Sequence, residues 1–240
     1  MTITTVPFDS LGGENHGWLN AKHHFSFANY YDPKRMGVGP LRVWNDDTIQ
    51  PGTGFPFHSH KDMEIITFVR EGAITHEDSL GNKGRTEAGD VQVMSAGTGI
   101  THSEYNREDD VTRLFQIWIM PDQSGHTPRW DARQFPKESR AGELVPLASG
   151  RKHHAETEAL LIHTDSAVLG ATITAGADVH HKLEAGRALY IVPAKGAVTV
   201  GGAFVDTRDG VIVSADGKDE DVVIHADLDA EIVVVDIALN

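Results

Sequence analysis

Short runs of β-branched and other apolar residues dominate the chain, and glycine or proline interrupts them every several residues. Segments with the 3.6-residue repeat of an amphipathic helix are scarce, so the pattern favours strands. We predict strands over these runs: Met63 to Val69, Val91 to Met94, Leu114 to Ile119, Leu189 to Val192, Ala197 to Val200, Val211 to Val213 and Glu231 to Ile237. Strands of this length and spacing are typical of β-sandwiches and small barrels with little helix.

An internal repeat divides the chain. Glu71-Gly72-Ala73-Ile74-Thr75 is echoed by Lys195-Gly196-Ala197-Val198-Thr199, and each copy follows a strand of matching length. Self-similarity at a fixed offset indicates repeated modules. We therefore predict two copies of one β module, spanning residues 1–130 and 131–240, with the linker at 121–130 and the only short helix around 153–161.

Two short patterns carry candidate chemistry: His58-Ser59-His60 and His102-Ser103-Glu104. In a strand, alternate side chains share a face, so each pattern presents two possible ligands on one side. Three imidazoles and one carboxylate suit a borderline metal such as Fe, Mn, Co, Ni or Zn better than Mg or Ca. Either pattern alone is more simply explained by chance, because the chain has 14 histidines.

The second copy lacks an equivalent pattern. His180 and His181 are adjacent, so a strand would point them to opposite faces. Glu184 and His225 remain as potential ligands, but nothing in the sequence positions them. We predict one metal site, in the first copy.

Composition narrows the function classes. The net charge is -14 and both halves are acidic, which argues against direct binding to nucleic acid or to anionic membranes. The absence of cysteine excludes disulfides, thiolate ligands and a cysteine nucleophile. Residues 1–9 lack the features of a signal peptide, and no apolar run is long enough for a membrane span. We predict a cytoplasmic protein, with a monomer plausible because two modules can cover each other.

Several longer segments resemble the pirin family of the cupin superfamily: Phe25 to Pro33, Gly39 to Asp47, Glu77 to Asn82 and Met94 to Glu104. The resemblance runs from about residue 16 to about residue 120. The C-terminal half is similar to the degenerate second cupin of bacterial pirin-like quercetinases. The resemblance implies an all-β bicupin, which has two jelly-roll domains in tandem. One departure is Pro56-Phe57-His58-Ser59-His60, where the family more often has Pro-His-Pro-His.

The resemblance implies that His58, His60, His102 and Glu104 bind one divalent transition metal, with iron preferred and Mn, Co, Ni, Zn or Cu as alternatives. Many other cupins use the glutamate that follows the first histidine pair, which is Glu64 here. Both glutamates occupy strand positions from which a side chain can face inward, so the residues alone do not decide whether Glu64 or Glu104 binds the metal. The pirin pattern favours Glu104, and Glu64 then becomes a candidate to orient an imidazole. The glycine turns predict no cofactor-binding site of another kind.

Pirin-like proteins of this kind are associated with quercetin 2,3-dioxygenase activity, in which O2 opens the flavonol ring to a depside and carbon monoxide leaves. The resemblance therefore implies a flavonoid or other phenolic substrate, with Glu104 as the catalytic base. Aromatic residues near the histidines, including Phe55 and Phe57, would suit a planar ligand. The alternative is a metal-binding regulator that contacts a transcription factor or a metabolic enzyme. A storage or sugar-binding cupin with a structural metal is a third option.

Overall fold

The computed structural model describes residues 1–239, and in this range the regular structure is almost entirely strand. The first half contains β1 (Thr2–Val6), β2 (Gly12–Asn15), β3 (Leu19–His23), β4 (Leu41–Ile49), β5 (Gly54–His60), β6 (Glu64–Glu71), β7 (Ala73–Asp78), β8 (Lys83–Glu87), β9 (Val91–Ser95), β10 (Ile100–Tyr105), β11 (Thr112–Ile119) and β12 (Arg129–Arg133). The second half contains β13 (Val145–Ser149), β14 (Leu160–Leu161), β15 (Ser166–Ile173), β16 (Asp178–Leu183), β17 (Arg187–Lys195), β18 (Val198–Val200), β19 (Ala203–Val205), β20 (Gly210–Ser214), β21 (Glu220–Ala226) and β22 (Ala230–Ala238). Short 3-10 turns occupy Phe8–Ser10, Lys137–Arg140 and Lys152–His154.

The strands form two sandwiches of the same design. In the first, a seven-stranded sheet (β12-β9-β6-β11-β4-β3-β2) accompanies a four-stranded sheet (β5-β10-β7-β8). In the second, the sheets have the orders β1-β20-β17-β22-β15-β13-β14 and β16-β21-β18-β19. The strands of the predicted repeat occupy equivalent places, since β6 and β7 correspond to β17 and β18. The predicted all-β bicupin with two jelly-roll modules and little helix is confirmed.

β9 and β20 occupy equivalent positions in the two modules, and each pairs with the outermost strand of its sheet. This outermost strand comes from a different part of the chain in each module. β12 pairs with β9 inside the first module, whereas β1, from the start of the chain, pairs with β20 of the second. The sheet of the first module therefore includes β12, which extends beyond residue 130, and the sheet of the second module includes β1 from the N-terminal segment. The division at residue 130 remains a prediction.

The largest apolar core lies between the modules. On β6, Ile66 and Phe68 pack with Tyr190 and Val233 of the second module. Their neighbour Ile65 points the other way, into the first sandwich. This alternation places the two seven-stranded sheets back to back and leaves each sandwich its own interior.

The prediction of a helix over 153–161 is wrong. The chain makes a 3-10 turn at Lys152–His154, and Leu160–Leu161 pairs as a strand with β13. Competing β pairing between β13 and β14, within the second module, prevails over the weak local helical pattern. Within residues 1–239, no helix is both long and apolar enough to cross a membrane.

Candidate metal centre

Three of the four predicted ligands converge at the inner face of the small sheet. β5 and β10 are antiparallel neighbours, and their register places His102 opposite His58. The ring centroids lie 4.4 Å apart for His58 and His102, 4.8 Å for His58 and His60, and 5.0 Å for His60 and His102. One nitrogen from each ring lies within 4.8 Å of the others. The structure thus brings the histidines of both sequence patterns together at one point.

A β-bulge in β5 sets the direction of these side chains. The register shifts between His102, opposite His58, and Glu104, opposite Phe55, so three positions of β5 span two of β10. Bulges commonly occur at sheet edges and re-aim side chains, and β5 is the edge strand. As a result Phe55 and His58, which have opposite parity, both face inward, while Phe57 is 60% exposed.

Glu104 occupies a neighbouring, fully buried position. Its Oε1 accepts a hydrogen bond of 2.6 Å from Gln92, and its Oε2 accepts one of 2.7 Å from Gln116. Burial raises the pKa of Glu104 to about 7, although these hydrogen bonds act in the opposite direction. Its carboxylate groups with His102 and His76 rather than with the full set of three histidines.

His76 is a member of this region that the sequence reasoning did not identify. It lies on β7, opposite Glu104 of β10, and its Nδ1 lies 3.4 Å from Nδ1 of His102. Its Nε2 donates to Oδ2 of Asp78 at 3.0 Å. Its ring stacks on Trp130 at 4.8 Å with an interplanar angle of 9°. The alternating His76-x-Asp78 in a strand after a glycine turn was the available signal.

The hydrogen bonds around His76 determine which nitrogen of His102 is free. Because a carboxylate accepts only, the proton of neutral His76 is on Nε2, and its Nδ1 accepts from Nδ1 of His102. Nε2 of His102 is then a lone-pair donor, and it is buried without a hydrogen-bond partner. Likewise, Nδ1 of His58 donates to the Pro56 carbonyl at 2.7 Å, which leaves its Nε2 free.

Burial keeps two of these rings neutral. It lowers the pKa of His102 to about 2, with the neighbouring His58 and His60 as further causes, and it lowers the pKa of His60 to about 4. Neutral imidazoles are the form that binds metals. An orphaned buried nitrogen among several neutral imidazoles fits a single borderline transition metal ion.

Glu64 lies elsewhere, and the expectation that it faces inward is wrong. The turn between β5 and β6 breaks the alternation, so Glu64 shares the outer face of β6 with Ile66 and Phe68. Its Oε2 accepts from Ser95 at 2.7 Å, and its Oε1 bonds to Nδ1 of His163 at 3.1 Å. Glu64 therefore orients an imidazole of the second module at the junction, and none of its hydrogen bonds reaches the predicted ligands.

The histidines of the second module have different partners. His180 is exposed and lies 3.2 Å from Asp221, whereas His181 bonds to buried Asp236 at 3.0 Å. Among residues 1–239, both groups of three potential ligands lie in the first module.

Family models identify both halves of the chain. The model described as Pirin matches residues 6–119, and the model described as Quercetinase C-terminal cupin domain matches residues 147–237. A pirin-like protein of Caulobacter vibrioides is 59% identical over 237 residues, which cover 98% of this chain and 100% of that protein. The chain belongs to the pirin family.

Other relatives are named for an activity or a metal. A quercetin 2,3-dioxygenase of Escherichia coli K12 is 43% identical over 227 residues, covering 94% of each chain. The crystal structure of the bacterial pirin YhhW from Escherichia coli in complex with nickel(II) superposes on this pirin with a TM-score of 0.91. It is 41% identical, and the match covers 100% of both chains.

Proposed function

We propose that this pirin is a metal-dependent dioxygenase that opens the ring of a flavonol, such as quercetin, with O2. The observation that carries the proposal is the convergence of His58, His60 and His102 beside the buried carboxylate of Glu104. The name of the Escherichia coli relative supports the reaction. The nickel complex of the Escherichia coli pirin YhhW supports a bound transition metal.

We assign His58, His60, His102 and Glu104 as the residues that would hold one divalent metal ion, with iron as the preferred element. Imidazole nitrogen plus carboxylate oxygen is the donor set of non-haem iron and similar metals. When bound, the metal would supply Lewis acidity toward the adjacent hydroxyl and keto oxygens of a flavonol, as well as the redox chemistry needed for O2.

Glu104 is also the proposed general base. In the metal-free protein, burial raises the pKa of this carboxyl to about 7, so burial favours its protonated form more than in an exposed glutamate. Gln92 and Gln116 hold its two oxygens and thereby fix its direction. In this role Glu104 takes the proton of the flavonol hydroxyl and makes the ring electron-rich enough to react with O2.

A cytoplasmic protein without nucleic-acid or membrane partners remains part of the proposal, as does a monomer. The net charge of -14 supports the exclusion of anionic partners.

The proposal is tested by oxygen uptake. Protein loaded anaerobically with iron or nickel should consume quercetin and O2 together, and His102→Ala should reduce both rates at least 100-fold. His225→Ala, which changes a surface histidine bonded to Asp178, is the matched control and should keep the wild-type rate. Equal rates for wild type and His102→Ala would refute the assignment. A stoichiometric, metal-sensitive protein partner without oxygen uptake would support the regulator instead.

A further inference from the structure

A small cavity lies inside the first sandwich, next to the metal centre. Its volume is about 190 Å³. We call it the ring pocket, and it is lined by Glu14, His16, Trp18, Leu19, Ala21, His23, Phe27, Asn45, Asp47, Phe55 and Gln116. None of the assigned ligands lines it, so it is a separate compartment of the same sandwich.

We infer that the ring pocket binds one hydroxylated aromatic ring of the substrate and that Asp47 and His23 recognise the hydroxyl groups of this ring. The position of the ring relative to the metal rests on the proposed function. Binding of the ring itself does not depend on turnover.

The size of the cavity selects a single ring. A cavity of about 150 Å³ with apolar walls holds one benzene molecule. The ring pocket, at about 190 Å³, has room for one ring with substituents but not for a complete three-ring flavonol. The remaining rings of such a ligand must therefore lie outside it.

The walls suit a flat aromatic guest. Trp18 and Phe55 meet edge to face, with centroids 5.1 Å apart and an interplanar angle of 81°. Phe27 forms another wall and is itself held edge-on by Trp118 at 5.4 Å. Aromatic rings prefer such perpendicular and offset contacts, so this frame favours a planar ring over an aliphatic group of equal volume.

Three buried polar atoms in the lining have no protein partner: Oε1 of Glu14, Oδ1 of Asp47 and Nε2 of His23. The last two belong to residues that are only 2% exposed. Buried polar groups are normally hydrogen-bonded, because leaving them unpaired costs free energy. A hydroxylated ring would supply the missing partners.

The chemistry of the Asp47 and His23 atoms is complementary to phenol. Nδ1 of His23 donates to Oδ1 of Asn45 at 2.8 Å, so Nε2 is an acceptor. Burial raises the pKa of Asp47 well above its ordinary value, and the nearby Asp46 and Glu104 add to this effect. The protonated form of Asp47, which this shift favours, donates a hydrogen bond, and a ring hydroxyl both donates and accepts.

The ring pocket adjoins the metal centre through shared side chains. Gln116 lines the pocket and donates to Oε2 of Glu104 at 2.7 Å. Phe55 also lines it, and its centroid lies 6.3 Å from that of His58. A flavonol whose hydroxyl and keto oxygens face the histidines would thus direct its phenyl substituent toward the pocket. Hydroxyl groups on that substituent become the specificity determinants.

A larger cavity of about 680 Å³ lies at the module junction but has different chemistry. Three of its charged lining residues already pair within the protein, since Arg151 contacts Glu184 at 2.5 Å and Asp165 contacts Arg187 at 3.1 Å. Within residues 1–239, its lining has no buried polar side-chain atom without a hydrogen-bond partner, unlike the ring pocket at Asp47 and His23.

Equilibrium binding to zinc-loaded protein tests the inference, because zinc has no redox chemistry and the flavonol is not consumed. The two probes are quercetin and the flavonol that has the same fused rings but an unsubstituted phenyl ring. We expect wild type to bind quercetin at least 10-fold more tightly. Asp47→Ala and His23→Phe should each reduce this preference to within about 2-fold of unity.

Further variants separate recognition from folding. Asp47→Asn should keep most of the preference, because the amide still donates a hydrogen bond. Ala21→Leu, which fills the pocket without removing a polar group, should weaken both ligands by similar factors. Asp109→Asn, at an exposed carboxylate, should change neither affinity. Circular dichroism and zinc stoichiometry verify that each variant is folded and loaded.

The outcomes distinguish this inference from the proposed function. An unchanged preference in Asp47→Ala and His23→Phe would overturn the ring pocket, even if the iron-loaded protein consumes quercetin. A lost preference in these variants would support the pocket, even if no metal form of the protein consumes oxygen.

Discussion

At the scale of single residues, a chain of hydrogen bonds holds the ring of His102. Asp78 fixes His76, and His76 fixes the tautomer of His102. Asp78 is itself fixed by the backbone N–H groups of Leu80 and Asn82, at 2.9 Å and 3.0 Å. The nitrogen that faces the other two histidines is therefore oriented before any metal binds.

His76→Phe should weaken metal binding roughly 10- to 100-fold, the usual effect of removing a group that orients a ligand. The aromatic replacement keeps the stack on Trp130 but removes the acceptor for His102. Competition with a chromophoric chelator measures the dissociation constant. His225→Phe, at a surface position, is the control, and equal constants for wild type and His76→Phe would contradict the expectation.

Glu104→Gln should change the pH dependence of stability in the metal-free protein. Because the folded pKa of about 7 lies above the unfolded value of about 4.3, Glu104 lowers stability progressively as pH rises through this range. The cost reaches roughly 4 kcal/mol above pH 7. Buried neutral histidines produce the opposite slope, so the quantity to compare is the difference between variant and wild type.

Urea unfolding with chelator present, at pH values from 4.5 to 8, gives this difference. The advantage of Glu104→Gln should grow with pH and level off above pH 7. A difference that is constant across the range would show that Glu104 titrates normally.

At the scale of elements, glycine turns place the ligand strands. The turn before β10 contains Gly97 with φ of +48°, and a Cβ at this position would lie 2.0 Å from the carbonyl oxygen of His126. The same oxygen accepts from the backbone of Thr98 at 3.0 Å. The segment that leaves the first module is thereby attached to the turn that leads into His102.

Gly97→Ala should destabilise the protein by more than the roughly 1 kcal/mol that positive φ costs an alanine. Gly125→Ala is the matched control, since its φ is +85° and nothing lies within 4 Å of an added Cβ. Denaturant unfolding measures both. Similar losses for the two variants would show that the contact with His126 is easily relieved.

Alternation along the chain predicted the strands, and it placed His58 with His60 and His102 with Glu104. It could not predict the bulge in β5, because the bulge depends on the partner strand β10. The difference between inward Phe55 and exposed Phe57 followed from that bulge. The pattern His76-x-Asp78 was a local signal, but it does not show the contact of His76 with His102, which forms only because β7 lies beside β10. A local sequence pattern does not show which strands pair, so it could not predict features that depend on this pairing.

At the scale of the whole molecule, the second module combines an aliphatic interior with a buried charged network centred on Asp236 of β22. There Asp236 accepts from Arg187 and Arg151, each at 2.6 Å, and bonds to His181. Burial opposes ionisation of Asp236, but His181 and the two guanidinium groups outweigh it and hold its pKa below the ordinary value.

Asp236→Asn should destabilise the protein by about 3–5 kcal/mol at pH 7, because two buried guanidinium groups lose their counter-charge. A depressed carboxylate pKa stabilises the fold above the unfolded value of about 3.9, and this contribution declines as pH falls below it. Thermal or urea unfolding at pH 7 and pH 3 measures the change. Asp221→Asn, which changes an exposed partner of His180, is the control and should have little effect on the free energy of unfolding. An equally small change for Asp236→Asn would contradict a stabilising role for the network.

The pairing of β1 with β20 also has a consequence for biosynthesis. Residues 2–6 leave the ribosome early, but their partners at 210–214 follow about 200 residues later. At roughly 5–20 residues per second, the first strand waits about 10–40 s for its place in the second sheet. During this interval it is an unpaired strand that chaperones or neighbouring chains can engage. The return of β1 to its partner β20 is therefore a late step of assembly.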